Sequence, residues 1–337
     1  MLPDAPGRLI ASLALVAAAL AQPGCYYLQL AAGQLEMNRR KVPIEELRAR
    51  EDTEATLRGQ LDHASRAREF AVTSLGLPDN GSYRAYADLD RPYATWNVFA
   101  APEFSVEPRR WCFPVAGCVS YRGYFDERRA GRVAARLSGR GNDVYVAPSI
   151  AYSTLGHLQD PLLNTMLRYG DAELAALLFH ELAHQAVYVP GDSDFNEAFA
   201  TVVEFEGARR WFSHLGRADE LAAFLESRRR QQRAAESMIA GRERLAAIYG
   251  RQLPVAEMRI AKAAELDQLR QLLAAEGPGP EGELNNARLA AVATYHRCVP
   301  ALSALLATRD GDLPSFYGAI RALARDDAAR SALCPRH

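Results

Sequence analysis

The stretch Phe179–Gln185 reads FHELAHQ, and it decides how the rest of the chain is interpreted. His180 and His184 are four residues apart, so an α-helix would place both imidazoles on one face, one turn from each other. Two imidazoles in this position can bind one metal ion, and Glu181 can act as a base toward water on that ion. The spacing therefore predicts a helical metal site.

The residues around this motif separate a metal site from an ordinary buried helix. No charged residue other than Glu181 lies within three positions of the motif. A buried helix with two satisfied histidines is the alternative, but burying His, Glu and His together without a metal leaves costly polar groups to satisfy. We expect Asp171 to cap this helix and Pro190-Gly191 to end it.

A hydrolytic zinc site needs a third protein ligand and an open position for water. A histidine six residues after His184 would supply that ligand, but the position is occupied by Pro190. The following segment, GDSDFNEAFATVVEFEG at residues 191–207, offers carboxylates instead. It predicts a second helix, capped by Asp194 or Ser193, that doubles back on the first.

Glu197 and Glu204 lie on one face of this second helix, together with Thr201. We expect Glu197 to be the third ligand. The alternative is that Glu197 is a capping-box partner of Asp194. Glu204 is expected to be a reserve ligand or the acceptor for a histidine N–H.

HELAHQ followed by DFNEAFATVVEFEG resembles the gluzincin metallopeptidases, in which HExxH precedes a glutamate on the next helix. More narrowly, the chain resembles a bacterial family of putative aminopeptidases, predicted to be lipoproteins of Gram-negative bacteria. GCYYLQLAAGQ, WCFPVAGCVSYRGYF, AYSTLGHLQDPLLNTML and NNARL fit that family too, so the resemblance spans most of the chain after residue 24. It implies one zinc ion bound by His180, His184 and Glu197, with Glu181 catalytic and a peptide as substrate.

Composition bounds the class of protein. The 337 residues carry 40 basic and 41 acidic side chains, so the balanced charge gives no reason to expect nucleic-acid binding. We predict an α+β, predominantly α fold, in which a zincin-like core with a small mixed β-sheet precedes a helical C-terminal half. The expected divisions are an N-terminal helical segment at 25–90, the core at 91–214 and the helical region at 215–337.

The N-terminus has the pattern of an export signal. Arg8 precedes Leu9–Ala21, an apolar run that is too short to span a bilayer but typical of a signal peptide. Gln22-Pro23-Gly24 and Cys25 follow, although Gln22 and Pro23 depart from the usual lipoprotein processing site. We expect a signal peptide at 1–24, a lipid anchor on Cys25 and a periplasmic protein on the outer membrane. An ordinary signal peptide or an uncleaved anchor is the alternative.

The remaining cysteines agree with export, since disulfides persist in oxidising compartments. Cys112 and Cys118 flank a turn-like stretch, and Cys298 with Cys334 would hold the C-terminal tail. Four cysteines allow three pairings, so this connectivity is a hypothesis.

Periodicity predicts helices at Ile44–Ser74, Asp126–Leu137, Ala218–Tyr249, Val255–Ala275 and Glu283–Leu306. Short strands are expected between Tyr93 and Phe125 and at Asp143–Val146. Ala151–Gly156 is either an edge strand beside the site or a loop, with Tyr152 and Ser153 able to line the cleft. Arg228, Arg229, Arg230 and Arg233 form a basic cluster, either a solvated face or a contact for lipid headgroups.

Peptide hydrolysis also requires a donor that stabilises the oxyanion, and Tyr295 is the first candidate, with His296 the second. Equally, Tyr295 could be a tyrosine packed on the core and His296 a histidine on the surface. An aminopeptidase needs an acidic group for the substrate's α-ammonium, and the pattern does not choose among Glu103, Glu204 and Asp194. We expect a zinc metallopeptidase of the envelope. The alternatives are a non-hydrolytic zinc-binding lipoprotein and a zinc hydrolase of peptidoglycan peptides.

Overall fold

The computed structural model describes residues 26–113, 117–276 and 282–335. The predicted signal peptide and the predicted lipidation site, Cys25, lie outside these residues. The fold is α+β and predominantly α, as predicted. Its strands are β1 (Val42–Pro43), β2 (Ala85–Ala87), β3 (Thr95–Pro102), β4 (Trp111–Phe113), β5 (Gly117–Val119), β6 (Tyr121–Tyr124), β7 (Asn142–Ser149) and β8 (Leu162–Leu163).

The helices account for most of the described chain. They are α1 (residues 26–40), α2 (Ile44–Ala49), α3 (Ala55–Thr73), α4 (Glu127–Ser138), a 3-10 helix (Asn164–Tyr169), α5 (Asp171–Ala186), α6 (Ser193–Leu215), α7 (Ala218–Tyr249), α8 (Val255–Glu276), α9 (Asn286–His296), α10 (Val299–Ala307), α11 (Leu313–Arg325) and α12 (Asp327–Leu333).

The central sheet has the strand order β6-β3-β7 and is antiparallel throughout. Alternate residues of β3 point to opposite faces, as in any strand. Trp96 and Val98 pack with α4, while Phe99 and Ala101 pack against the small residues Ala287 and Ala291 of α9. A mixed sheet of order β1-β2-β8 and the β4-β5 hairpin complete the β structure. The sheet thus holds α9 in place beside α6.

The main hydrophobic core buries α3 and the apolar faces of α5 and α6. Gly207 lets α6 approach α5 closely, because a Cβ at this position would lie 2.7 Å from the Phe179 side chain and 2.9 Å from that of Leu75. Phe179, directly before the first histidine, is fully buried. The two helices that carry the site are therefore fixed by tight packing.

Two segments that were predicted to be single helices each contain two helices. The segment Ile44–Ser74 divides into α2 and α3, because residues 50–54 form a turn in which the Thr53 hydroxyl donates to the Leu47 carbonyl at 2.6 Å. The segment Glu283–Leu306 divides into α9 and α10, and Pro300 lies in the first turn of α10, where its missing N–H costs nothing. The other predicted long helices, α4, α7 and α8, are confirmed within a residue.

Predicted caps also need correction. Gly170, not Asp171, is the N-cap of α5, and that helix ends at Ala186, before the proline. Asp192 caps α6 by accepting from the Phe195 N–H at 3.3 Å, whereas we expected Asp194 or Ser193. Residues 151–156 form a loop and not an edge strand, which was the alternative prediction.

Both expected disulfides are present. Cys112 and Cys118 face each other in the β4-β5 hairpin, and Cys298 is bonded to Cys334 after α12. Within the described chain, Asn286–Ala307 is the one helical stretch long and apolar enough to cross a membrane, with a mean hydropathy of 1.3. Half of it is buried in the fold, where α9 packs on the central sheet, as expected of a core helix.

Candidate metal centre

Three donor atoms from α5 and α6 converge on one point. The Nε2 atoms of His180 and His184 lie 3.1 Å apart. The Oε2 atom of Glu197 lies 3.4 Å from the first and 3.5 Å from the second. Two imidazole lone pairs and a carboxylate this close repel one another unless a proton or a metal ion lies between them. These three residues could therefore hold one metal ion.

The turn between α5 and α6 sets the position of Glu197. Asn196 is 2% exposed, and its amide exchanges two hydrogen bonds of 2.8 Å with the backbone N–H and carbonyl of Val189. The capping residue Asp192 is itself held by Arg330, whose Nε donates at 2.8 Å. Because Asp192 is the cap, Glu197 is not a capping-box partner and its carboxylate is directed at α5.

Glu204 supports His180 from the side opposite the donor triangle. The Nδ1 atom of His180 donates to its Oε2 at 3.0 Å, so in the neutral ring Nε2 carries the lone pair that can bind a metal. Its other oxygen lies 2.8 Å from Nη2 of Arg228. Of the two roles expected for Glu204, the geometry shows the hydrogen-bond partner.

Arg228 does not belong to a solvated cluster. Its guanidinium also donates to Glu173 in the first turn of α5 at 2.6 Å, and its side chain is 17% exposed. Arg229 and its two neighbours in the cluster stay exposed around Glu226. Arg228 therefore ties α7 to both metal helices, a role that no local pattern predicted.

The two histidines differ in their surroundings. Among the described residues, the Nδ1 atom of His184 is buried and has no hydrogen-bond partner. Of the two histidines, only His180 has a carboxylate partner at Nδ1. The orientation of His184 consequently depends on packing and on the contacts of its ring with His180 and Glu197.

Electrostatics in the metal-free protein reflect this crowding. Burial raises the pKa of Glu197, but the charges and hydrogen bonds of His184 and His180 outweigh it and bring the pKa to about 2. Burial lowers the pKa of His180, yet hydrogen bonds to Glu197 and Glu204 raise it well above its ordinary value. Burial raises the pKa of Glu181. A divalent ion would take the place of the proton held among these groups.

Tyr295 and His296 lie at the end of α9. Tyr295 lines both the cavity that contains Glu181 and the cavity beyond His180, whereas His296 lines only the second of these two. Burial, followed by the charge of Glu197, raises the pKa of Tyr295 well above its ordinary value. Its hydroxyl thus stays protonated and can donate. Tyr121 on β6 also lies near Glu197 and Glu181, and it was not predicted because a single tyrosine in a strand gives no signal in the sequence.

The loop at 151–155 borders the cleft, with Tyr152 and Ser153 lining it as expected. Buried Asp160 holds this loop by accepting from Thr154 N at 3.0 Å, Thr154 Oγ1 at 2.7 Å and Ser153 Oγ at 3.2 Å. His157, which follows this loop, is exposed.

Fold and site together define an α+β protein in which two adjacent helices bring HExxH and a downstream glutamate into one potential metal-binding group. The family model described as putative aminopeptidase matches residues 25–333, and the chain belongs to that family. No curated protein shows significant similarity to the chain. No solved structure shows significant similarity either.

Proposed function

We propose that this protein is a zinc-dependent peptidase of the cell envelope, with zinc bound by His180, His184 and Glu197. The observation that carries the proposal is the donor triangle. A tetrahedral zinc with bonds of about 2.0–2.1 Å has ligand atoms about 3.3 Å apart. The three measured separations, 3.1, 3.4 and 3.5 Å, surround this value. Two histidines and one glutamate are also a ligand set that hydrolytic zinc sites use.

The residues around this group suit peptide hydrolysis. Zinc, when bound, supplies a Lewis acid and acidifies water. Glu181 is half-buried beside the triangle and lines the same cavity. It accepts the proton of the attacking water and passes it to the leaving amine. Tyr295 donates a hydrogen bond to the carbonyl oxygen as negative charge develops there. Glu204 and Arg228 hold His180 in place.

The envelope location rests on the N-terminal sequence and on the disulfides. An apolar segment followed by Cys25 favours export with a lipid anchor, and the two disulfides of the described chain suit an oxidising compartment. Metabolic labelling with a fatty acid tests this part. We expect wild type to carry the label in the membrane fraction and Cys25→Ser to lose it. An unlabelled wild-type protein would refute the anchor.

Peptide digestion by wild type and Glu181→Gln tests the activity. This substitution keeps the size of the side chain but removes the base, so the variant should bind as much zinc as wild type while its cleavage rate falls by about 10²–10⁴-fold. Mass spectrometry of a peptide library and metal analysis of the same samples give both results. If zinc-loaded wild type cleaves no peptide, the chain is a zinc-binding protein without peptidase activity.

A further inference from the structure

Two cavities of similar size meet at the metal group. The first, of about 550 Å³, contains Glu181 and the donor triangle, and we call it the base-side cavity. The second, of about 570 Å³, lies between α6, α7 and α9, and we call it the far cavity. His180 and Tyr295 line both. The proposed metal site therefore lies between the base-side cavity and the far cavity, not at the closed end of a single cavity.

Removal of a single N-terminal residue requires an acidic group that binds the α-ammonium of the substrate. Among the described residues, the only carboxylates that line the base-side cavity are Glu181 and Glu197. One is the proposed base and the other a proposed ligand, so neither is available. The rest of the lining is neutral and partly aromatic, with Tyr121, Tyr152 and Phe113 among its members.

Most charged groups that line the far cavity already have a partner of opposite charge. Glu204 is held by His180 and Arg228, and Arg297 is paired with Asp194. A terminal carboxylate of a substrate would therefore have to compete with an existing partner for either arginine. The remaining carboxylates of this lining, Glu236 and Glu243, lie at its exposed edge on α7.

The carboxylates considered from sequence for an ammonium site are likewise engaged. Glu103 accepts from Arg259 at 2.6 Å, away from both cavities. Asp194 and Glu204 have the partners given above. The volume of each cavity lies within the range of about 300–1,000 Å³ that is typical of sites for drug-sized ligands. Each cavity therefore has room for a peptide segment with its side chains.

We propose that the site cleaves internal bonds of oligopeptides, with neutral or aromatic residues of the substrate in the base-side cavity and polar residues in the far cavity. This inference rests on the proposed peptidase function. In the reaction one C–N bond breaks, water supplies the oxygen of the new carboxylate, and a proton passes to the released amine. A free N-terminus on the substrate plays no part.

Matched oligopeptides with free or acetylated N-termini test the proposal on the zinc-loaded protein. We expect cleavage at internal positions, with kcat/KM values for the two forms within about threefold of each other. Stepwise loss of N-terminal residues from the free peptide alone would overturn the inference while leaving the peptidase function intact. Cleavage of neither form would instead refute the proposed function.

Two substitutions on α7 give an independent test. Ala240 is half-buried and lines the far cavity, so Ala240→Phe should narrow it and lower kcat/KM for long peptides by about tenfold or more. Ala246→Phe places the same ring on an exposed part of the same helix and should have no effect. Equal activity of the two variants would show that substrate does not enter the far cavity.

If the edge of the far cavity bound the α-ammonium of a substrate, cleavage would depend on a free N-terminus. If Glu236 or Glu243 bound a substrate N-terminus, Glu236→Gln or Glu243→Gln would abolish cleavage of the free peptide. We expect both variants to cleave acetylated and free peptides at the same positions as wild type. Loss of only the free-peptide cleavage would contradict the proposal.

Discussion

The base-side cavity and the far cavity share a wall but differ in chemistry. The first is neutral apart from the site itself, and its lining combines tyrosines with the loop at 151–155. The second contains a network in which Arg228 links Glu173 and Glu204 behind His180. The difference shows how one buried centre can be held and still stay accessible: charged groups of the far cavity fix His180, while the neutral base-side cavity leaves Glu181 open to a substrate.

Tyr295, like His180, lines both cavities, and loss of its hydroxyl should have the largest effect of the three substitutions that compare them. Tyr295→Phe keeps the ring and its packing but removes the donor, so kcat should fall by about 10²–10³-fold while zinc content stays unchanged. Steady-state kinetics on one peptide, with metal analysis, measure both. A full-rate variant would assign the oxyanion donor to another group, such as the neighbouring Tyr121.

The charged network is tested through zinc affinity. Arg228→Ala leaves Glu204 without its cation, and loss of such an outer partner typically weakens metal binding by about 10–100-fold. Competition with a chelator gives the dissociation constant. Arg229→Ala is the matched control, because the adjacent arginine is exposed beside Glu226 and should leave the constant unchanged. Equal constants for the two variants would mean that the network does not position His180.

A substitution in the neutral lining of the base-side cavity should have the smallest effect on activity. Tyr152 lines the base-side cavity and packs edge-on against Phe125, with ring centroids 4.8 Å apart. An aromatic contact with substrate contributes about 0.5–1.5 kcal/mol, so Tyr152→Ala should raise KM by about two- to tenfold without changing zinc content. A change in zinc affinity instead would show that the two cavities are not separate in function.

Local spacing predicted the part of the site carried by α5 and α6. The HExxH helix, the second helix and the convergence of Glu197 all follow from residues within one short stretch, where periodicity limits the geometry. The sequence also predicted the α+β class, and the resemblance of several motifs predicted the family. Arg228 could not be, since it reaches Glu204 from another helix and only the packing of α7 brings them together.

Some local features also escaped prediction. Three neighbouring side chains, Asp192, Ser193 and Asp194, could each cap α6, and the choice depends on Arg330, far along the chain. The breaks before α3 and α10 lie in segments whose pattern suits a continuous helix. In both cases a distant contact or a turn decides between local options of similar free energy.

One metal ion bound by two imidazoles and one carboxylate is the basis of the proposed function, and the metal stoichiometry of wild type and Glu197→Gln tests it directly. The amide retains the shape of the carboxylate but loses its charge, so it is a poor ligand. After dialysis against trace zinc, we predict one equivalent of zinc in wild type and little or none in the variant, with unchanged circular dichroism. Equal zinc content in both proteins would contradict the account.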